Sequence, residues 1–79
     1  MSFRDAVLGQ MPQAKRARAE KKVGPIRRRM WAAAENLARH RIEQKTGKPL
    51  VGAVDWAKWL DFLKEIMPII LKLLALFGV

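Results

Sequence analysis

Polar residues recur at helical spacing through the last third of the chain, and almost everything between them is hydrophobic. Lys58, Asp61, Glu65, Pro68 and Lys72 follow one another at steps of three, four, three and four. At about 100° per residue these positions form one narrow stripe on a helix. Trp56, Trp59, Phe62, Leu63, Ile66, Ile70, Leu73 and Phe77 lie on the broad apolar arc around it, and they are the residues expected to anchor the chain in its surroundings. Asp55 suits the N-cap of this helix, predicted over about 55–77. Pro68 removes one backbone hydrogen bond and is expected to bend it.

A second helical pattern precedes it. Ile26, Met30, Ala34 and Leu37 make one apolar row, with Trp31, Ala34, Ala38 and Ile42 beside it. Pro25 fits the first turn, and Gly47 with Pro49 after it makes a stop, so the helix is predicted over about 26–45. Residues 49–54 read as a short hydrophobic linker. At the other terminus, Ser2-Phe3-Arg4-Asp5 has the form of a capping box ahead of Ala6, Val7 and Leu8. A short helix over about 3–10 follows, marginal at that length unless it docks. The fold class is all-α. Because the apolar arc of the last helix is too wide for so small a monomer, an extended chain ordered by assembly is expected, not an autonomous globule.

Charge divides the chain in the same place. Residues 1–48 hold thirteen of the sixteen Lys/Arg residues and four of the seven acids, whereas residues 49–79 are balanced. The layout is therefore a basic arm and amphipathic helix over 1–48, the linker, and a hydrophobic helix over 55–79. The apolar residues near the N-terminus are scattered and the basic run follows them, which does not match a secretory signal. The chain has no cysteine and one histidine, which excludes disulfides and thiolate or histidine-cluster metal sites.

The densest chemical signal is KRARAEKKVGPIRRR, residues 15–29, with eight cations and one acid. Lys15, Arg16, Arg18, Lys21, Lys22, Arg27, Arg28 and Arg29 are the candidate nucleic-acid-binding residues, because neutralising phosphates releases their condensed counterions. Attraction to anionic lipid is the competing use of the same charge. No base-reading motif accompanies the run, so the expected recognition is of the phosphate backbone without sequence preference. Arg27-Arg28-Arg29 is the expected phosphate clamp, since guanidinium groups pair bidentately with phosphate. Trp31 could stack on a base, although a Trp on an apolar helix face more often belongs to a core. His40, between Arg39 and Arg41, reads as an exposed part of the basic face. Asp61 and Glu65, flanked by Lys58 and Lys64, read as a salt-bridged stripe.

The apolar end, residues 66–79, would extend only about 21 Å as a helix, too short to cross a bilayer. Extending it back to Trp56 brings in Lys58, Asp61, Lys64 and Glu65, each costly at the bilayer centre. A lone spanning helix is thus disfavoured, leaving burial in a protein shell or homo-oligomer, an in-plane position on membrane lipid, or spanning as an oligomer. No nucleophile–base pair, phosphate-cradling glycine loop or cofactor motif is present, so the expectation is a non-enzymatic protein without a cofactor. The layout fits a minor virion component that joins nucleic acid to a capsid shell or an internal membrane. Its location would be the virion interior or inner shell face, or otherwise the cytoplasmic face of a membrane. The rival classes are a ribonucleoprotein subunit and a membrane-active peptide of the holin or leaderless-bacteriocin kind, whose cationic, Trp-containing helices the rear segment resembles.

Overall fold

Four helices form where caps and breakers permit, and a computed structural model describes all 79 residues. The first, α1, covers Phe3–Leu8. Its N-cap is Ser2, whose Oγ accepts the Asp5 N–H at 3.1 Å, as the capping pattern requires. The second, α2, covers Gln13–Glu20, where alanine and lysine permit a helix but like charges at close spacing oppose one in isolation. Arg16 and Glu20, four residues apart, relieve part of that repulsion with a 2.9 Å ion pair. Burial of Ala19 supplies a tertiary contact that the isolated segment lacks.

The third, α3, spans Gly24–Thr46, starts on Pro25 and stops at Gly47, where φ is +71°. Only a residue without a Cβ takes up that left-handed backbone freely. Its buried row is Met30, Ala34, Ala38 and Ile42, each fully inaccessible. These four lie four residues apart, so they form one i+4 ridge inclined to the helix axis. Ile26, assigned to the same face, is instead 54% exposed. It sits in the first turn, before the row reaches its partner helix.

The last helix is shorter than the 55–77 pattern. A 3-10 turn covers Trp56–Trp59, and α4 runs from Leu60 to Ala75. Asp55 makes no side-chain cap; its carbonyl accepts the Lys58 N–H at 3.1 Å within the tighter turn. The turn drives Trp56 into the core, where its ring meets Phe3 edge-on at 4.8 Å.

Seventeen buried residues, from α1 to Val79, make one hydrophobic cluster. The most extensive packing is between α3 and α4, and α1 covers α4 and the 3-10 turn. The radius of gyration is 12.2 Å, against about 12 Å for a folded domain of this length. The expected extended chain is therefore replaced by a compact one. Its physical cause is α1: Phe3, Ala6, Val7 and Leu8 are buried and cover apolar surface that would otherwise need a partner.

The helices α3 and α4 run antiparallel. Lys45, late in α3, lies 3.7 Å from Glu65 and 4.9 Å from the Phe62 ring centre, early in α4. At the other end the Lys22 ammonium lies against Gly78, where an added Cβ would come within 2.9 Å of Nζ. The segment after α3 folds back along it. Glu43 Oε2 accepts the Leu50 N–H at 2.9 Å, and Arg39 donates to the Gly52 carbonyl at 3.2 Å. Gln10 ties α1 to α4 by donating to the Leu60 carbonyl at 3.4 Å. No helix is long and apolar enough to cross a membrane.

Candidate nucleic-acid interface

The basic run occupies three consecutive structural settings, and they divide its eight cations. On α2, Ala19 faces inward, which fixes the direction of every other side chain on that helix. Lys15 and Arg18, three residues apart, share one flank, and Lys22 follows just past the end of the helix. Lys21, at the C-cap, is exposed. Arg16 lies on the opposite flank, where its Nε donates to Glu20 Oε1 at 2.9 Å. It is the only one of the eight candidates in an ion pair. The structure thus leaves seven cations without an acidic partner.

Arg27, Arg28 and Arg29 are all exposed on the first two turns of α3. Neighbours on a helix diverge by about 100°, so three in a row cannot converge on one phosphate. The expected clamp is replaced by a collar. Val23 offers no side-chain cap and the first turn contains no acid, so nothing there offsets the positive helix end. Three cations at that end repel one another and the dipole, an unfavourable arrangement that a bound polyanion relieves.

Cationic surface continues beyond residue 29. Arg41 and Lys48 are exposed, as is His40. The acids of α3 are engaged elsewhere: Glu35 accepts from Arg39 at 3.2 Å, and Glu43 holds the Leu50 amide. Cation density along the chain singles out residues 15–29 and does not register Lys48, whereas Arg41 belongs to the basic face already assigned to His40. The i+4 spacing from Arg29 through Ala33 and Leu37 to Arg41 was the available signal.

Trp31 belongs to the core packing. It is half-buried, with the Phe3 ring edge-on at 6.4 Å, and its indole Nε1 is buried without a hydrogen-bond partner. It is less exposed than the arginines that precede it.

The eight anchor residues also divide. Trp56, Leu63, Ile66 and Ile70 are buried inside the chain, against the expectation that they face an outside partner. Trp59, Phe62, Leu73 and Phe77 are half-buried and pack on the edge of the same core. Their burial follows from α1 and α3 covering α4, which periodicity on α4 alone does not register. The polar stripe is exposed, but it is not internally salt-bridged. Glu65 pairs with Lys45 of α3, and Asp61, Lys58 and Lys64 have no ion-pair partner.

Two open depressions mark the surface. One, of about 540 Å³, is lined by Met11, Gln13, Arg16, Ala17 and Glu20. The other, of about 470 Å³, lies between the end of α1 and the start of α4. Neither is lined by Ser, Thr, Cys or His. No protein-family model, curated protein or solved structure matches the chain.

Proposed function

We propose that the chain is a small non-enzymatic structural protein that binds the phosphate backbone of nucleic acid. The observation that carries this reading is the set of seven exposed or half-exposed cations at residues 15–29 without an acidic partner. Lys15, Arg18, Lys21 and Lys22 on and after α2 track one stretch of backbone, and Arg27, Arg28 and Arg29 gather phosphates around the start of α3. Recognition of this kind is electrostatic, and its affinity does not depend on base sequence.

A minor virion role, tying packaged genome to a shell, is the setting in which such a protein fits. The surface available to a shell protein or to further copies of the chain is then the half-buried edge Trp59, Phe62, Leu73 and Phe77, together with Leu76. Leu76 is 81% exposed.

One observation favours a second reading, attachment to an anionic membrane surface. Val23 and Ile26 at the start of α3 are 73% and 54% exposed, and α4 ends with Leu76 at the same end of the molecule. An apolar tip ringed by arginines suits an interface of anionic headgroups.

One titration separates the two. Binding of the full chain to unrelated DNA duplexes should fall steeply with salt. Seven phosphate contacts give a limiting slope of about −6 in log K against log salt. Affinity that does not change with salt overturns the phosphate reading. Tighter binding to anionic lipid vesicles than to any duplex, lost on Ile26→Ser with Leu76→Ser, replaces it with the membrane reading.

A further inference from the structure

The antiparallel pair α3 and α4 has two faces, and the chain covers only one of them. On α3, residues one position after the buried Met30, Ala38 and Ile42 are each met by another segment. Phe3 lies edge-on to Trp31, the Gly52 carbonyl accepts from Arg39, and the Leu50 amide donates to Glu43. On α4, Lys64, one position after the buried Leu63, lies beside Gly9 and Gln10 at the end of α1. Positions one before the buried residues lie about 200° round each helix and so belong to the opposite face. They are Ala33, Leu37 and Arg41 on α3, and Phe62, Ile69 and Leu73 on α4. Lys45, 4.9 Å from the Phe62 ring centre, joins the two sets across the seam.

This second face is apolar along its centre and cationic at its edges. Phe62, Ile69 and Leu73 point within about 40° of one another, and Ala33 and Leu37 also differ by about 40°, so each set forms a single strip. All five side chains are half-buried. Leu76, 81% exposed, extends the α4 strip. From Phe62 to Leu76 it is about 21 Å long. Arg41 and Lys72 border the face, exposed and without an ion-pair partner. The acid on this side, Glu65, is already engaged by Lys45 at 3.7 Å.

We infer that the seam between α3 and α4, on the side away from α1, is a docking site for an acidic amphipathic helix of a partner protein. Such a site gives the partner-facing edge proposed above a defined chemistry and so rests on that reading, whereas phosphate binding by residues 15–29 is independent of it. A third helix laid along the seam sets apolar side chains at i, i+3, i+4 and i+7 between the two strips. Carboxylates on its flanks then reach Arg41 and Lys72, which have no acid of their own. About 14 residues of helix span the strip. A second copy of this chain is disfavoured, because it brings further cations against Arg41 and Lys72 in a molecule of net charge +9. A lipid surface suits projecting apolar side chains, whereas those of the seam are half-buried between two helices. A phosphate backbone leaves the apolar centre unmatched.

The test is titration of the full chain with a synthetic peptide of about 14 residues, leucines at helical spacing on one side and glutamates elsewhere. A scrambled peptide of the same composition is titrated beside it. The expected result is about 10-fold tighter binding of the amphipathic peptide, the scale of one apolar side chain buried in the seam. Amide shifts in NMR spectra should fall at residues 33–41 and 62–76. Ile69 is half-buried but lies off the core cluster, so Ile69→Ser leaves the fold intact. That variant should bind the peptide about 5-fold more weakly and bind DNA duplexes as the parent does. Lys72→Gln should also weaken peptide binding, whereas Arg28→Gln, two positions before the buried Met30 and away from the seam, should not. Equal binding of the scrambled peptide, or shifts confined to residues 13–29, overturns the docking site, since charge alone then accounts for the contact. Absence of peptide binding with duplex binding retained overturns it and leaves the phosphate reading intact. A concentration-dependent dimer that is lost on Ile69→Ser gives the seam to a second copy instead. Binding of the parent to anionic vesicles that is lost on Ile69→Ser overturns the protein-facing edge itself.

Discussion

The ring of Phe3 meets the ring of Trp56 edge-on, with centroids 4.8 Å apart, and this contact closes the molecule between its N-terminal helix and the turn that leads into α4. Trp31 completes the set from α3, 6.4 Å from the same Phe3 ring. One residue of a six-residue helix therefore joins two segments that are distant in sequence.

Trp56→Ala should accordingly remove the closure. Loss of a buried aromatic costs about 3–5 kcal/mol, a large part of the about 5–15 kcal/mol that stabilises a small domain. The parent chain should sediment as a compact monomer with a cooperative thermal transition by circular dichroism. The variant should lose that transition or melt far lower. A parent that is disordered alone and gains helix only in an assembly would contradict the self-contained core.

The cations of α2 should not be equivalent. Arg18 is exposed and unpaired, whereas Arg16 is tied to Glu20. Arg18→Ala should lower duplex affinity uniformly across sequences and reduce the salt slope by about 1. Arg16→Ala should reduce the salt slope by less than half as much, because an arginine held by Glu20 neutralises no phosphate and releases no counterion. Equal effects of the two substitutions would mean that the bound state breaks the Arg16–Glu20 pair.

Two alanines of α3 give a third comparison. Ala38 is fully inaccessible and Ala32 is exposed. Ala38→Leu should overpack the contact with α4 and cost about 1–3 kcal/mol. At this chain length each kcal/mol lowers the melting temperature by about 4–8 °C. Ala32→Leu should leave the melting temperature within a few degrees of the parent, since surface substitutions usually change stability by about 0.5 kcal/mol or less. The opposite pattern, with stability sensitive at Ala32 and insensitive at Ala38, would invert the assigned faces of α3.

Much of the local structure was legible in the residues. Ser2 with Asp5, Pro25 and Gly47 mark helix ends through backbone chemistry that acts over three or four positions, and each mark is met. The polar stripe of α4 is where its period puts it, facing solvent. The helical class and the exposed basic surface follow from the same short-range rules.

What the sequence alone determined is thus the class of the fold, most helix limits and the cationic character of residues 15–29, all set by propensity, capping and charge within a few residues. Tertiary structure decided which apolar surface is internal and which cations are free. Whether Ile66 and Ile70 face a partner or the chain's own core depends on α1 folding back over α4, a contact between distant segments that no periodicity encodes. Ile26 and Leu37 share a repeat with Met30 and Ala34, yet the row that α4 covers passes through Ala38 and Ile42 instead. Helix formation by α2 was decided the same way, by burial of Ala19 and the Arg16–Glu20 pair acting against like-charge repulsion.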